Sequence, residues 1–227
     1  MTKKQGKPAT LEKALAQIGL ALRDPRSPES RKQLSDALLN GSSIIAARVA
    51  TSIAEGRLEG FEEVLQQAFQ RFLDDPVATD AGCRAKVAAL GALDQLESTN
   101  AALFLAATSY VQIEGGGRRP ADTAVGVRAR AVVALARIGF SDLPLVAAHM
   151  LADPESPVRQ AAADALAHHG ERAGAGAVWL KLEMGDEDEL VVLACASALL
   201  SLAPNGDFAR CGRCSSKAIP PCKSSAR

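Results

Sequence analysis

A phrase of thirteen residues occurs twice in the second half of the chain, and its spacing constrains the fold more than any other feature. VRARAVVALARIG begins at Val127, and VRQAAADALAHHG begins 31 residues later at Val158. Both carry Val-Arg at the start, a small residue four positions on, Ala-Leu at positions seven and eight, and Gly at position twelve. Apolar residues at intervals of three and four mark one face of a helix. A period of this length holds two helices and their turns. Hairpins repeated at a fixed period bury their apolar faces by stacking on one another, the logic of a solenoid. The expected fold class is therefore all-α, built from stacked helical hairpins.

The rest of the chain can be cut to the same pattern. Residues 1–9 are a polar, basic leader, and Thr10 stands where an N-cap would open a helix with Leu11, Leu15, Ile18 and Leu22 on one face. Asp24-Pro25-Arg26-Ser27-Pro28 stops it, and the same wording returns at Asp153–Pro157. Helices are expected over 29–39, 43–55, 61–73, 101–113, 173–184 and 190–203, with Asp80 capping one that carries Cys83, Val87, Leu90 and Leu93. This predicts an N-terminal helix plus about five hairpins over 10–203, whose second helices start near Ile45, Cys83, Val127, Val158 and Val191. Pairing the first helix with the second would instead leave 43–55 unpaired. Residues 204–227, rich in Cys, Ser and Pro, read as a disordered tail.

Composition narrows the function classes. Lys+Arg and Asp+Glu number 26 each and aromatic content is 4%, which argues against a nucleic-acid groove and against stacking platforms for bases. No apolar run is long enough to span a membrane, so a cytoplasmic protein is expected. Five cysteines, an odd count, do not suit a secreted disulfide framework.

One further spacing is specific. Asp122 precedes Arg128 by six residues, and Asp153 precedes Arg159 by six; in the last hairpin Asp186 keeps the acid while Val192 replaces the base. On these residues the chain resembles HEAT repeats, the hairpins of armadillo-like α-solenoids, nearest to the Ala-rich type found in phycobilisome lyases. The resemblance implies a right-handed solenoid in which Asp122, Arg128, Asp153 and Arg159 form a ladder of charge-assisted bonds between neighbouring repeats. It also implies a non-catalytic scaffold that binds another protein or a peptide on the concave face, with no cofactor. The alternative it leaves open is an accessory lyase- or chaperone-type protein handling a prosthetic group on another protein. In such solenoids the second helices line the concave side. Positions two, six and ten of the phrase then face outward, which nominates Arg137, Gln160, Asp164, His168, Leu193 and Ser197 as partner-binding residues.

Little else in the chain suggests chemistry. Cys211, Cys214 and Cys222 could supply part of a zinc site, but the tail holds no His. His149, His168 and His169 are not followed by Glu, as a di-iron HEAT enzyme would require. Gly115–Gly117 with Arg118 and Arg119 could cradle an anion, though such a run more often serves as a surface connector. Arg128, Arg130 and Arg137 form a small basic cluster, which without aromatics fits a repeat ladder better than a DNA groove. Finally, 190–203 contains no charged residue. A terminal helix apolar all round predicts self-association through that end, or further repeats beyond it.

Overall fold

The computed structural model describes residues 8–115 and 119–204. Among them are twelve α-helices and a single two-stranded ribbon. The chain divides into two compact units, Met1–Phe140 and Ser141–Arg227.

The N-terminal unit opens with α1 (Pro8–Ala21), which packs against α2 (Pro28–Asn40) and α3 (Ser43–Gly56). Helix α1 begins two residues ahead of Thr10. Ser27 caps α2 by accepting the Ser30 N–H at 3.2 Å, and Pro28 takes the first helical position, where no donor is needed. Next come α4 (Glu62–Arg71), the one-turn α5 (Pro76–Thr79), α6 (Arg84–Gln95), α7 (Ala101–Thr108) and α8 (Val125–Arg137). Helix α2 pairs with α3, α4 with α6, and α7 with α8; the second members then pack side by side, α3 on α6 and α6 on α8.

The helix expected over 101–113 stops at Thr108. The Thr108 hydroxyl donates to the Leu105 carbonyl at 2.7 Å and the Ser109 hydroxyl to the Ala106 carbonyl at 3.2 Å. These back-bonds compete with continuation of the helix. Ile113–Glu114 then forms β1, paired antiparallel with β2 (Ala121–Asp122). The stretch expected to be plain loop is thus bounded by a ribbon.

The C-terminal unit holds two hairpins, α9 (Leu143–Met150) with α10 (Ser156–His169), and α11 (Ala175–Met184) with α12 (Glu189–Leu202). Helix α10 packs on α12 and α9 on α11, so first helices and second helices form separate layers. Asp188 caps α12 by accepting the Leu190 N–H at 2.9 Å.

The repeated phrase explains the packing inside each unit. Its start and its positions four, seven and eight are buried: Val127, Ala131, Ala134 and Leu135 in α8, and Val158, Ala162, Ala165 and Leu166 in α10. Alanine at two of these four places lets helices approach closely, and the valine and leucine fill the remaining space. Position twelve is glycine for a backbone reason: Gly139 and Gly170 sit at φ +66° and +76°, a left-handed conformation that a side chain disfavours.

Candidate functional site

The charged residues of the turns form two sets, one in each unit. In the C-terminal unit Arg159, at the start of α10, reaches the turn before α12. Its Nε and Nη2 donate to the two carboxylate oxygens of Asp186 at 2.7 and 2.8 Å. Its Nη1 donates to the backbone carbonyls of Asp153 and Pro154, both at 2.9 Å. One guanidinium therefore ties its own turn to the next. Asp186 also holds the Lys181 ammonium at 2.8 Å and accepts the Asp188 N–H at 2.9 Å. The bonds from Arg159 hold the Asp186 carboxyl well below the usual carboxylate range against the opposing effect of burial. In turn they push the Arg159 guanidinium up. The acid that seemed unmatched in the sequence is paired with the base of the preceding turn.

In the N-terminal unit Asp122 accepts Arg128 Nη1 at 2.6 Å, and the same nitrogen donates to the Tyr110 carbonyl at 3.0 Å. Burial would raise the Asp122 carboxyl, but N–H groups of Ala124 and Gln112, together with Arg128, outweigh it and lower it. A further pair, missed in the sequence, lies deeper. Asp80 and Lys86 are both fully buried with their charges 3.0 Å apart. Asp80 receives the N–H groups of Ala85 and Lys86, which caps α6, and Lys86 Nζ also donates to the Phe72 carbonyl at 3.1 Å. The signal was present: Lys86 follows Asp80 by six, and Ala92-Leu93 stand at positions seven and eight of a phrase starting at Ala85. Lysine in place of arginine hid it, as did Glu97 where the other copies have glycine.

Around this pair the ribbon is fastened down. Glu114 Oε1 accepts from the Gly82 N–H at 2.7 Å, and from the Thr123 hydroxyl and Gln112 Nε2 at 2.6 Å each. The Thr123 bond comes first among the causes that lower the Glu114 carboxyl. Gln112, itself buried, also donates to the Asp80 carbonyl and accepts the Tyr110 hydroxyl. Burial pushes the Tyr110 phenol up to about 12. Cys83 lies 3.6 Å from the Thr123 hydroxyl, and burial raises its thiol; burial takes Cys195 to about 11. Both thiols are kept protonated and poorly nucleophilic near neutral pH.

The nominated partner-binding residues fall in both units. In the N-terminal unit Arg137 is half-buried and donates twice to Asp94 Oδ1, at 2.8 and 2.5 Å, so its charge is already engaged. In the C-terminal unit Asp164, His168, Leu193 and Ser197 are exposed and Gln160 is half-buried, all on the α10–α12 layer. Leu193 is 63% exposed, with Leu190 and Leu200 also exposed on α12. His169 is half-buried, and its Nδ1 has no hydrogen-bond partner among the described residues. Cys211, Cys214 and Cys222 lie outside the described residues, as do 116–118 of the Gly-Arg loop. Among the described residues no group of three His, Cys, Asp or Glu side chains is placed to hold a metal ion, and no helix is long and apolar enough to cross a membrane.

No family model matches this chain, and no curated protein matches it.

Proposed function

We propose that the chain is a non-catalytic interaction module, a HEAT-like α-solenoid whose second helices present a docking face to another protein or a peptide. The observation that carries this reading is how the C-terminal unit spends its polar groups. The charges in its turns, Arg159, Lys181 and Asp186, are consumed in holding hairpins together. Its α10–α12 layer meanwhile exposes Leu190, Leu193 and Leu200 beside Asp164 and His168. A mixed apolar and polar strip on rigid helices suits recognition of a complementary surface. The geometry of Arg159 on Asp186 matches the inter-repeat ladder that the resemblance implies, and it supports the solenoid reading within that unit.

The test is affinity purification from the source cell, identification of what co-elutes, and rebinding of the purified partner to Asp164→Ala and Leu193→Ala chains. Both side chains are exposed, so neither change should unfold the protein. The expected result is a loss of at least about tenfold for Leu193→Ala, as for a central apolar anchor. Affinity unchanged in both variants would reject this face.

A further inference from the structure

We propose that the trough between α9 and α11 is a second docking site, and that it takes a cationic amphipathic helix of another protein. It lies on the first-helix layer of the C-terminal unit and so does not depend on the α10–α12 face. The trough encloses about 570 Å³. Its two walls follow helical spacing. Ala148 and Ala152 line the α9 side, with Leu145 one turn earlier; Ala177, Leu180 and Met184 line the α11 side. The alanines leave the space open. Leu145, Leu180 and Met184 are 76%, 62% and 74% exposed, three large apolar side chains left uncovered by the described residues. Apolar anchors spaced along one face of a helix fill such a groove, and methionine adapts to them.

Charge decides the occupant. The trough ends in the turns after α9 and α11. Lys181 and Arg159 are there, but both are bound to Asp186 and only 16% and 7% exposed. Glu187 at the same end lies 3.7 Å from Arg159 but is 86% exposed, so its carboxylate still faces outward. Glu183 and Glu189, both exposed, flank this turn in the sequence and add to its negative charge. A second copy of this chain would bring one acidic rim against another, and a nucleic acid would be repelled. A helix carrying leucines on one face and lysine or arginine beside them satisfies both walls and rim.

The test uses the full chain and a fluorescein-labelled Leu/Lys amphipathic helical peptide, read by anisotropy, against the same peptide with Glu for Lys. The Lys peptide is expected to bind and the Glu peptide to bind at least about tenfold more weakly. Leu180→Glu with Met184→Glu should weaken the Lys peptide by about tenfold or more, and Glu187→Lys by about threefold, with helicity unchanged by circular dichroism. Leu193→Glu should leave the affinity within about twofold. Equal binding of the two peptides, or full affinity in the trough variants, overturns the proposal. So does loss of binding with Leu193→Glu, which would put the peptide on the α10–α12 face. A wild-type dimer broken by Met184→Glu would show a second copy in the trough and would overturn it as well.

Discussion

Replacing Asp186 with Asn removes one charge and almost no volume, and the structure gives the size of the effect. The Asp186 side chain is 3% exposed and accepts two bonds from Arg159, one ion pair from Lys181 and one backbone N–H. Bonds to charged groups contribute about 1.5–3 kcal/mol each, and removing one partner of a buried pair costs about 3–5 kcal/mol. Asn keeps one acceptor and turns an NH₂ toward the cations. Lys181 and Arg159 retain some exposure, so part of their hydration returns, and the expected loss sits near the lower end, about 3 kcal/mol. Trp179 is the chain's one tryptophan and lies on α11, so its fluorescence in a urea titration reports on this unit. With a slope of about 2 kcal/mol/M the midpoint should fall by about 1.5 M. The pH dependence separates charge from packing. Because the folded Asp186 carboxyl is held below its unfolded value, its contribution is fully present above the unfolded pKa of about 3.9 and is lost as pH falls through the folded pKa. The gap between wild type and Asp186→Asn should therefore be constant from neutral pH to about pH 5 and narrow below about pH 4. Arg159→Met with Asp186→Leu should recover part of the loss, since the buried guanidinium is no longer stranded and only Lys181, 16% exposed, loses its partner. A loss under about 1 kcal/mol at neutral pH, or a gap that does not narrow in acid, would refute the ladder as a source of stability.

Three other expectations follow from the same geometry. Lys86→Met strands the buried Asp80 carboxylate and should cost about 3 kcal/mol in a urea titration, part of which Asp80→Asn in the same chain should restore, because it removes the charge and keeps an acceptor for the N–H groups that cap α6. Glu97 sits at φ +57°, so Glu97→Gly should raise stability by about 0.5–1 kcal/mol, and Gly170→Ala at φ +76° should lower it by about 1 kcal/mol, both read as shifts in Tm. Cys83 and Cys195 are buried with raised thiol pKa values; peptide mapping after labelling at pH about 8 should find both unmodified in the native chain and modified in urea.

The sequence made the hairpins readable because their signals are local. Pro28, Pro157 and Gly170 mark helix ends, and the alanine-leucine spacing of α8 and α10 marks the buried face. The C-terminal end of 101–113 was misread because Val111 and Ile113 continue an apolar pattern, whereas the decisive bonds join Gln112 and Glu114 to Asp80, Gly82 and Thr123. Those contacts span up to 32 residues, and periodicity carries no trace of them. Arg137 was nominated from its position on the helix alone. Its tie to Asp94, 43 residues away, is a tertiary fact that removes it from the set of uncommitted charges.

The six-residue offset between acid and base has a mechanical meaning. The acid in the turn caps the helix that follows, as Asp80 does for α6, and the base one residue into the repeated phrase folds back over that turn. Residues added between the two would break the cap and the ion pair together. Residues added ahead of the acid cost neither. The N-terminal unit shows this: the residues added between α7 and α8 all precede Asp122, which closes the ribbon as the last residue of β2, and the Asp122–Arg128 pair keeps both its offset and its 2.6 Å contact. The first hairpin shows what happens without the acid. Asn40 occupies the equivalent place, and Ala46 the place of the base. There the link between hairpins runs the other way, with Arg71 of α4 donating to the Gly41 carbonyl while its guanidinium stacks on Phe72 at 4.0 Å. Arginine in both arrangements anchors one turn to another, and only the acid is exchangeable for a backbone carbonyl. That exchange erased the sequence signature at the N-terminal end while leaving the hairpins joined.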